Sequence, residues 1–286
     1  MIFLKIGVFI PTLNAGFKFD EVLNCIDSQI GDYELEKLII DSNSTDDTCS
    51  LAKKHGYICK SIDRKQFTHG LVRKCAVEIL YQCKYIIFLT QDAYVKKNAL
   101  EELLRFISKY ENMVVAYGRQ TTTMNKVDII DFYDRTFNYP DKSIVKKYED
   151  KNILGIKTVF SSDVFSIYNR ELLLKLGNFP KEVKFAEDML IAAMAIKKGY
   201  SVGYCADAIC VHNQKLSYRE LYKRYCQIGE FHTTYPWIQK EFGRNTTEGI
   251  KLTFFELNQL IKSFDFLHIP DFFIRTLIKF VAYKFN

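Results

Sequence analysis

No stretch of the 286-residue chain approaches the roughly 18 consecutive apolar residues that a membrane-spanning helix requires. A spanning protein is therefore excluded, whereas one that lies on a bilayer is not. The eight cysteines (25, 49, 59, 75, 83, 205, 210 and 226) contain no CxxC pair and no framework spacing, and several fall inside apolar stretches. They read as reduced core thiols, which favours a cytosolic compartment over a disulfide scaffold. The opening run from Met1 to Ile10 lacks a basic leader and a small-residue cleavage site and is too short for a signal peptide, so it is expected to be the first strand. Glycine is scarce where a dinucleotide would need it. Pro11-Thr12-Leu13-Asn14-Ala15-Gly16 holds a single glycine, which removes the GxGxxG fingerprint, and no Walker lysine motif follows. A bound diphosphate would then have to be neutralised by a metal at a carboxylate such as Asp92 and by basic side chains such as Arg73.

What is present is a core-forming composition, 48% hydrophobic, arranged as alternating strand and helix. The run Ile86-Ile87-Phe88-Leu89 is unbroken and apolar, as a strand buried on both faces must be, and it delivers Asp92 just beyond its end. In an open α/β sheet the ligand sits outside the carboxyl ends of the strands, although one acid there is also an ordinary turn or cap residue. Strand Ile6–Ile10, a helix from about Phe19 to Ser28, strand Leu38–Ile40 ending at Asp41, and a helix through Lys54 with a Gly56 stop open the pattern. A short strand near Tyr57–Ile62 and a helix from Phe67–Arg73 to about Cys83 complete a nucleotide-binding half.

The second half is expected to carry a helix near Asn98–Lys109 and a strand Val114–Tyr117 running into Gly118-Arg119-Gln120. Residues 121 to 156 read as a long irregular loop, and Lys157–Tyr168 as a strand with partial alternation. A short helix stops at Gly177, and Phe185–Ile196 is strongly helical with Glu187 and Asp188 in its first turn. Adjacent acids there commonly just complement the helix dipole, and they diverge by about 100°, so at most one is aimed into a cleft. Ser201–Tyr204 and Ile209–Val211 read as two further strand segments, the second leading to His212. A histidine after a strand is usually structural, but His212 and Asp92 would end strands at the same edge, where a divalent metal shared with a diphosphate fits.

Seven motifs in order carry a resemblance: Pro11-Thr12-Leu13-Asn14, Asp41-Ser42-Asn43-Ser44-Thr45-Asp46, Phe67-Thr68-His69-Gly70-Leu71-Val72-Arg73, Phe88-Leu89-Thr90-Gln91-Asp92-Ala93, Tyr117-Gly118-Arg119-Gln120, Glu187-Asp188 and His212. Together they resemble inverting family-two glycosyltransferases of the GT-A fold, and within that family bacterial rhamnosyltransferases, from about Ile6 to Gly229. The resemblance implies a Rossmann-like, mostly parallel central sheet flanked by helices, with a transferase domain over residues 1–230 and a C-terminal helical appendage over 231–286. It implies that Thr12, Asn14, Asp41 and Ser44 surround the nucleotide, with Asp41 accepting from a pyrimidine imide. His69, Gly70 and Arg73 would line the diphosphate side, and Thr90, Gln91 and Arg119 would add donor contacts. Asp92 matches the metal-binding second acid of the family's DxD element, with Thr90 in place of the first, and His212 joins it on Mn2+ or Mg2+. Asp188, beside Glu187, would be the base.

The implied reaction moves L-rhamnose from dTDP-β-L-rhamnose to a lipid-linked or oligosaccharide acceptor, such as a polyprenyl-diphosphate-linked glycan, in O-antigen or capsule synthesis. A non-catalytic or UDP-sugar-specific protein of the same fold, or a sugar nucleotidyltransferase, is the alternative; the last lacks its glycine-rich, arginine-containing loop here. No nucleic-acid partner is expected. From Lys215 onward eleven basic residues face seven acidic ones, in a region rich in aromatics. Helically spaced apolar residues from about Leu252 to Phe285 fit either an anionic membrane surface or packing against the catalytic domain or a second copy in a homo-oligomer. With the resemblance, they imply a cytoplasmic protein held peripherally at the inner face of the membrane.

Overall fold

The protein is described here by a computed structural model over residues 4–123 and 127–285. In chain order the first half contains β1 (Leu4–Thr12), α1 (Phe19–Asp27), β2 (Tyr33–Asp41), α2 (Thr48–Lys54), β3 (Ile58–Ser61), α3 (His69–Ile79), β4 (Tyr85–Leu89), β5 (Tyr94–Val95) and α4 (Ala99–Ser108). Then follow β6 (Met113–Thr121), α5 (Ile129–Asn138), β7 (Ile144–Lys146), α6 (Lys151–Leu154), β8 (Phe165–Asn169), α7 (Arg170–Leu176), α8 (Glu187–Lys197) and β9 (Ser201–Val211). Four helices close the chain: α9 (Tyr218–Thr234), α10 (Pro236–Phe242), α11 (Asn245–Lys262) and α12 (Ile269–Lys284).

Two compact units result, one of residues 1–120, 141–148 and 159–212, the other of 121–140, 149–158 and 213–286. Compactness thus groups residues 213–230 and two earlier excursions with the C-terminal helices, rather than dividing the chain once near residue 230. In the first unit the strands form one sheet in the order β3-β2-β1-β4-β8-β6-β9-β5, with β7 on β9. The half β3-β2-β1-β4 is parallel, whereas β8 runs antiparallel to both β4 and β6. This reversal brings the start of β8 to the edge where β1, β2 and β4 end.

Burial on both faces explains the unbroken apolar strands. Val8, Ile10, Ile39 and Ile87 pack with Val22 and Leu23 of α1 and Leu103 and Ile107 of α4. On the opposite face a Cβ on Gly7 would meet the Leu80 side chain at 2.7 Å, so β1 and the end of α3 lie in close contact. Phe9, Phe88, Tyr168 and Phe179 form a run of ring contacts with centroids 5.0–5.6 Å apart. Gly70, in the first turn of α3, is required by the same tightness: an added Cβ would lie 2.0 Å from the Pro180 carbonyl. In the second unit Ile130, Tyr133, Leu260 and Phe272 form a small core joining α5, α11 and α12.

Three expectations fail in instructive ways. Residues 121 to 156 are not one loop: among those described they include α5, β7 and α6. The strand expected over Lys157–Tyr168 is confined to β8, because residues 155–159 form a 3-10 turn. The two segments expected between Ser201 and Val211 are one strand of eleven residues, whose small members Gly203, Ala206 and Ala208 are buried against neighbours.

His55, which caps α2, sits between two carboxylates, Asp27 at 2.6 Å and Asp20 at 3.0 Å. Burial lowers its proton affinity, but both acids outweigh this and hold the imidazole above its ordinary value. A raised folded-state value means that the stabilisation is complete below the unfolded value and disappears as pH rises through the folded one. His55→Gln is accordingly expected to lower Tm by a few degrees at pH 5.5 and by much less at pH 9, measured by calorimetry. An equal loss at both values would contradict the ion-pair account.

Candidate active site

Three clusters meet at the edge where β1, β2 and β4 end. The first joins the loops after β1 and β2. Asp41, buried, accepts from the Thr12 hydroxyl (2.8 Å), the Ser44 hydroxyl (2.6 Å) and the Ser44 amide (2.8 Å). Asn14, in the left-handed region at φ 44°, donates its amide to Ser44 Oγ and accepts from the Thr45 amide, each at 2.8 Å. Gln91 binds the Leu13 backbone reciprocally, its Oε1 accepting at 2.9 Å and its Nε2 donating at 3.2 Å. Gln91 is therefore a brace between two loops, and three of Asp41's acceptor positions are filled from within the protein.

The second cluster is centred on Asp92. His212 Nε2 lies 3.1 Å from Asp92 Oδ2, while His212 Nδ1 lies 3.3 Å from Gln120 Oε1. Gln120 is oriented in turn, because its Nε2 donates to Ser162 Oγ at 2.7 Å. An amide oxygen accepts only, so Nδ1 carries a proton; facing the carboxylate, Nε2 carries the second proton of the imidazolium, and presents its lone pair once a cation takes that proton's place. Two acceptors at that separation need a proton or a cation between them. The His212 side chain is buried, whereas that of Asp92 is 50% exposed. Burial pushes the Asp92 carboxyl up, but the hydrogen bond and charge of His212 dominate and bring it down to about 2. A carboxylate and an imidazole with an oriented second nitrogen suit a divalent metal; among the described residues no third such side chain joins them, which leaves coordination positions for phosphate oxygens and water. The Thr90 hydroxyl is buried beside Asp92, and Nε of Arg119 is buried with no hydrogen-bond partner among the described residues.

The third cluster gathers charge under α8. Arg73 is 4% exposed and donates from Nε to Asp163 at 2.6 Å and from Nη1 to Glu187 at 2.9 Å. It also donates from Nη1 to His69 Nδ1 at 3.1 Å, which makes Nδ1 the acceptor; burial, with the Arg73 charge and against that of Glu187, lowers the proton affinity of that imidazole. Arg73 thus does not stand open for a diphosphate; two carboxylates enclose it. Glu187 is buried in the same pairing, and Asp188 is the acid of the two that is not tied to Arg73. Asp188 accepts from the amides of Asp163 (3.2 Å) and Met189 (2.7 Å). Burial, reinforced by the charges of Glu187 and Asp163, pushes its carboxyl up to about 8.

Segment 161–164 ties the clusters together. The Val164 carbonyl accepts from the Thr90 amide at 3.2 Å, Ser162 holds Gln120, and Asp163 holds Arg73 and Asp188. Thr12, Asn14, Asp41 and Ser44 are hydrogen-bonded together, Gln91 is bonded to the Leu13 backbone between them, and Asp92 is paired with His212; Gly70 contributes close backbone packing instead, its amide donating to Val183 O at 2.9 Å. Asp163 is not singled out by the sequence, and Gln120 enters only as the last residue of the Tyr117-Gly118-Arg119-Gln120 motif, without a role of its own. Their signal was present: a Ser-Ser-Asp triplet just before an apolar strand, and a glutamine one residue beyond Arg119.

The sequence model of glycosyl transferase family 2 matches residues 7–177. The O-antigen chain rhamnosyltransferase RfbN of Salmonella typhimurium is 38% identical over 283 residues, covering 98% of this chain and 89% of that protein. The O-antigen chain rhamnosyltransferase WbaN of Salmonella anatum is 36% identical over 279 residues, covering 97% and 87% respectively. Among solved structures, the mannosyltransferase PcManGT from Pyrobaculum calidifontis in complex with GDP-Man and Mn2+ superposes with a TM-score of 0.65 at 16% identity, over 97% of this chain and 84% of that one. That likeness establishes the shared GT-A architecture, in which a partly parallel sheet is flanked by helices. A family match over more than half of the chain, with two curated relatives aligned over nearly all of it, shows that the chain belongs to glycosyl transferase family 2.

Proposed function

We propose that this enzyme is an inverting rhamnosyltransferase that moves L-rhamnose from dTDP-β-L-rhamnose to a polyprenyl-diphosphate-linked glycan during O-antigen or capsule synthesis. The observation that carries this reading is the convergence of the Asp92–His212 pair and Asp188 on one sheet edge through segment 161–164. The donor and the pathway are inferred from the names of the two curated relatives. In this reading residues 1–230 carry the transfer chemistry and residues 231–286 form a helical appendage.

Asp188 takes the proton of the acceptor hydroxyl as that oxygen attacks the anomeric carbon from the face opposite the leaving nucleotide. A carboxyl with raised proton affinity is suited to that task, and Glu187 is not free to share it while bound to Arg73. Asp92 and His212 would hold a divalent ion, Mn2+ or Mg2+, whose positive charge would offset that of the departing diphosphate. Gln120 keeps the His212 Nε2 lone pair directed at that position. Thr12, Asn14, Asp41 and Ser44 shape the nucleotide end; Thr90, Arg119 and the partly exposed His69 face the sugar diphosphate, and Gly70 and Gln91 hold the loops that carry them. With Arg73 enclosed, Arg119 is the guanidinium better suited to the phosphates.

Separating binding from chemistry tests these roles. Asp92→Ala is expected to abolish transfer and metal-dependent nucleotide binding together, whereas Asp188→Asn keeps dTDP-rhamnose affinity within about threefold and loses at least about 10²-fold in kcat. Calorimetric titration alongside a transfer assay reads both, and an Asp188→Asn enzyme with wild-type turnover would refute the assignment.

The membrane reading has its support in the second unit. Among the described residues no helix is long and apolar enough to cross a bilayer. Yet Phe264 (80%), Leu267 (91%) and Leu277 (63%) are exposed, with Phe266, Phe273, Ile274 and Phe280 alongside. On α12 Phe273, Leu277 and Phe280 recur at helical spacing, while Arg275 and Lys279 of the opposite face are bound to acids of α5, α11 and α12 itself. Acids are thereby neutralised inward while Lys251, Lys262 and Lys284 stay exposed, which suits an anionic lipid interface and peripheral attachment at the inner face of the cytoplasmic membrane. Flotation with anionic vesicles is expected to recover the wild-type protein and to lose the Leu267→Ser, Leu277→Ser double variant, both folded by circular dichroism. Equal recovery of the two would contradict membrane attachment, and a loss of dimer in the variant would instead identify this face as a subunit contact.

A further inference from the structure

Asp163 lies outside the seven motifs that carry the resemblance, yet both its side chain and its backbone are engaged at the reacting edge. Its carboxylate is 2% exposed and accepts from Arg73 Nε at 2.6 Å, Ser166 Oγ at 2.7 Å and the Tyr168 hydroxyl at 2.8 Å. Its own amide donates to Asp188 Oδ2 at 3.2 Å, while the Met189 amide holds Asp188 Oδ1 at 2.7 Å. One residue thus grips a buried guanidinium with its side chain and a carboxylate with its backbone.

The charge balance shows why that matters. Asp188 is faced by the carboxylates of Asp163 and Glu187, by the guanidinium of Arg73 and by the phenol of Tyr168. Arg73 is the sole cation of this group, and Asp163 and Glu187 each take one of its donors. Were Asp163 uncharged, Nε of a buried guanidinium would have lost its anionic partner, and Asp188 would be the carboxylate left to replace it. An aspartate paired with arginine is a weak base. Resting on the reading of Asp188 as the proton acceptor, we propose that Asp163 is a positioning residue for the transfer reaction: it holds Arg73 away from Asp188 and aims the Asp188 carboxylate, so that Asp188 stays basic.

A merely structural Asp163 would, when replaced, lower stability and activity without altering how Asp188 titrates. The side-chain carboxyl carbon of Asp188 is therefore to be followed by 13C NMR against pH in the full-length wild type and in Asp163→Asn, with Asp188→Asn providing the assignment. The pH dependence of kcat/KM with dTDP-L-rhamnose is measured in parallel. The wild-type midpoint is expected well above the ordinary value of about 4. In Asp163→Asn it should fall by at least about one pH unit, the acid limb of kcat/KM should move down with it, and the donor KM should change by less than about threefold. Ser166→Ala, which removes one hydroxyl and keeps the charge, should leave the midpoint in place. An Asp163→Asn midpoint equal to that of the wild type would overturn the proposal, and so would an equal shift in Ser166→Ala. Should Asp163→Asn fail to fold, the wild-type titration decides alone: a midpoint near 4 overturns the proposal. Failure of the wild type to use any nucleotide sugar would defeat the proposed function instead, and the carboxyl titration would still report on Asp163.

Discussion

A buried arginine organises the reacting edge. Arg73 carries a full charge into the interior, where an unpaired guanidinium would be intolerable, and the fold answers with Asp163 from the β8 side and Glu187 from α8. Removing either partner is expected to cost about 3–5 kcal/mol, the usual penalty for leaving a buried charge uncompensated. The pairing also selects among acids. Asp163 and Glu187 are bound to the guanidinium, so of the three neighbouring carboxylates Asp188 is the one not paired with it.

That selection depends on the direction of one strand. Because β8 runs antiparallel to β4 and β6, its first residues lie where the last residues of β4 and β6 lie. Segment 161–164 can then touch Thr90, Gln120, Arg73 and Asp188 within four residues of chain. Tightness elsewhere serves the same end. Gly70 lets α3 approach the Pro180 carbonyl closely enough to bring Arg73 and His69 under α8, and the aromatic run from Phe9 to Phe179 fills the space beneath.

Two acids of the candidate site, Asp41 and Asp92, follow parallel strands, where an apolar run stopping at a carboxylate is legible in the sequence. The pairing of Asp92 with His212 follows from the same logic, because both come after strands that end at one edge. The order of the pair Glu187-Asp188 marked a helix start, although only contacts with Arg73 separate their roles. Asp163 was hidden because it precedes its strand, and strand direction is not written in local pattern. Arg73 misled for a related reason: a basic residue one turn into a helix near a phosphate site looks like an anion ligand until its counterions are known. The helix α5 escaped notice because its buried face rests on only two well-buried residues, Ile130 and Tyr133, while its acids face Arg275 and Lys279.

Stereochemistry distinguishes one displacement from two. In the proposed mechanism Asp188 acts as base while Asp163 and Glu187 are held by Arg73, so the sugar is transferred in one displacement. The direct measurement is the anomeric configuration of the product by NMR, using a donor of defined β configuration such as dTDP-β-L-rhamnose. An α-linked product is predicted. A β-linked product would mean two displacements through an enzyme nucleophile, and would contradict the roles assigned to Arg73, its two carboxylates and Asp188.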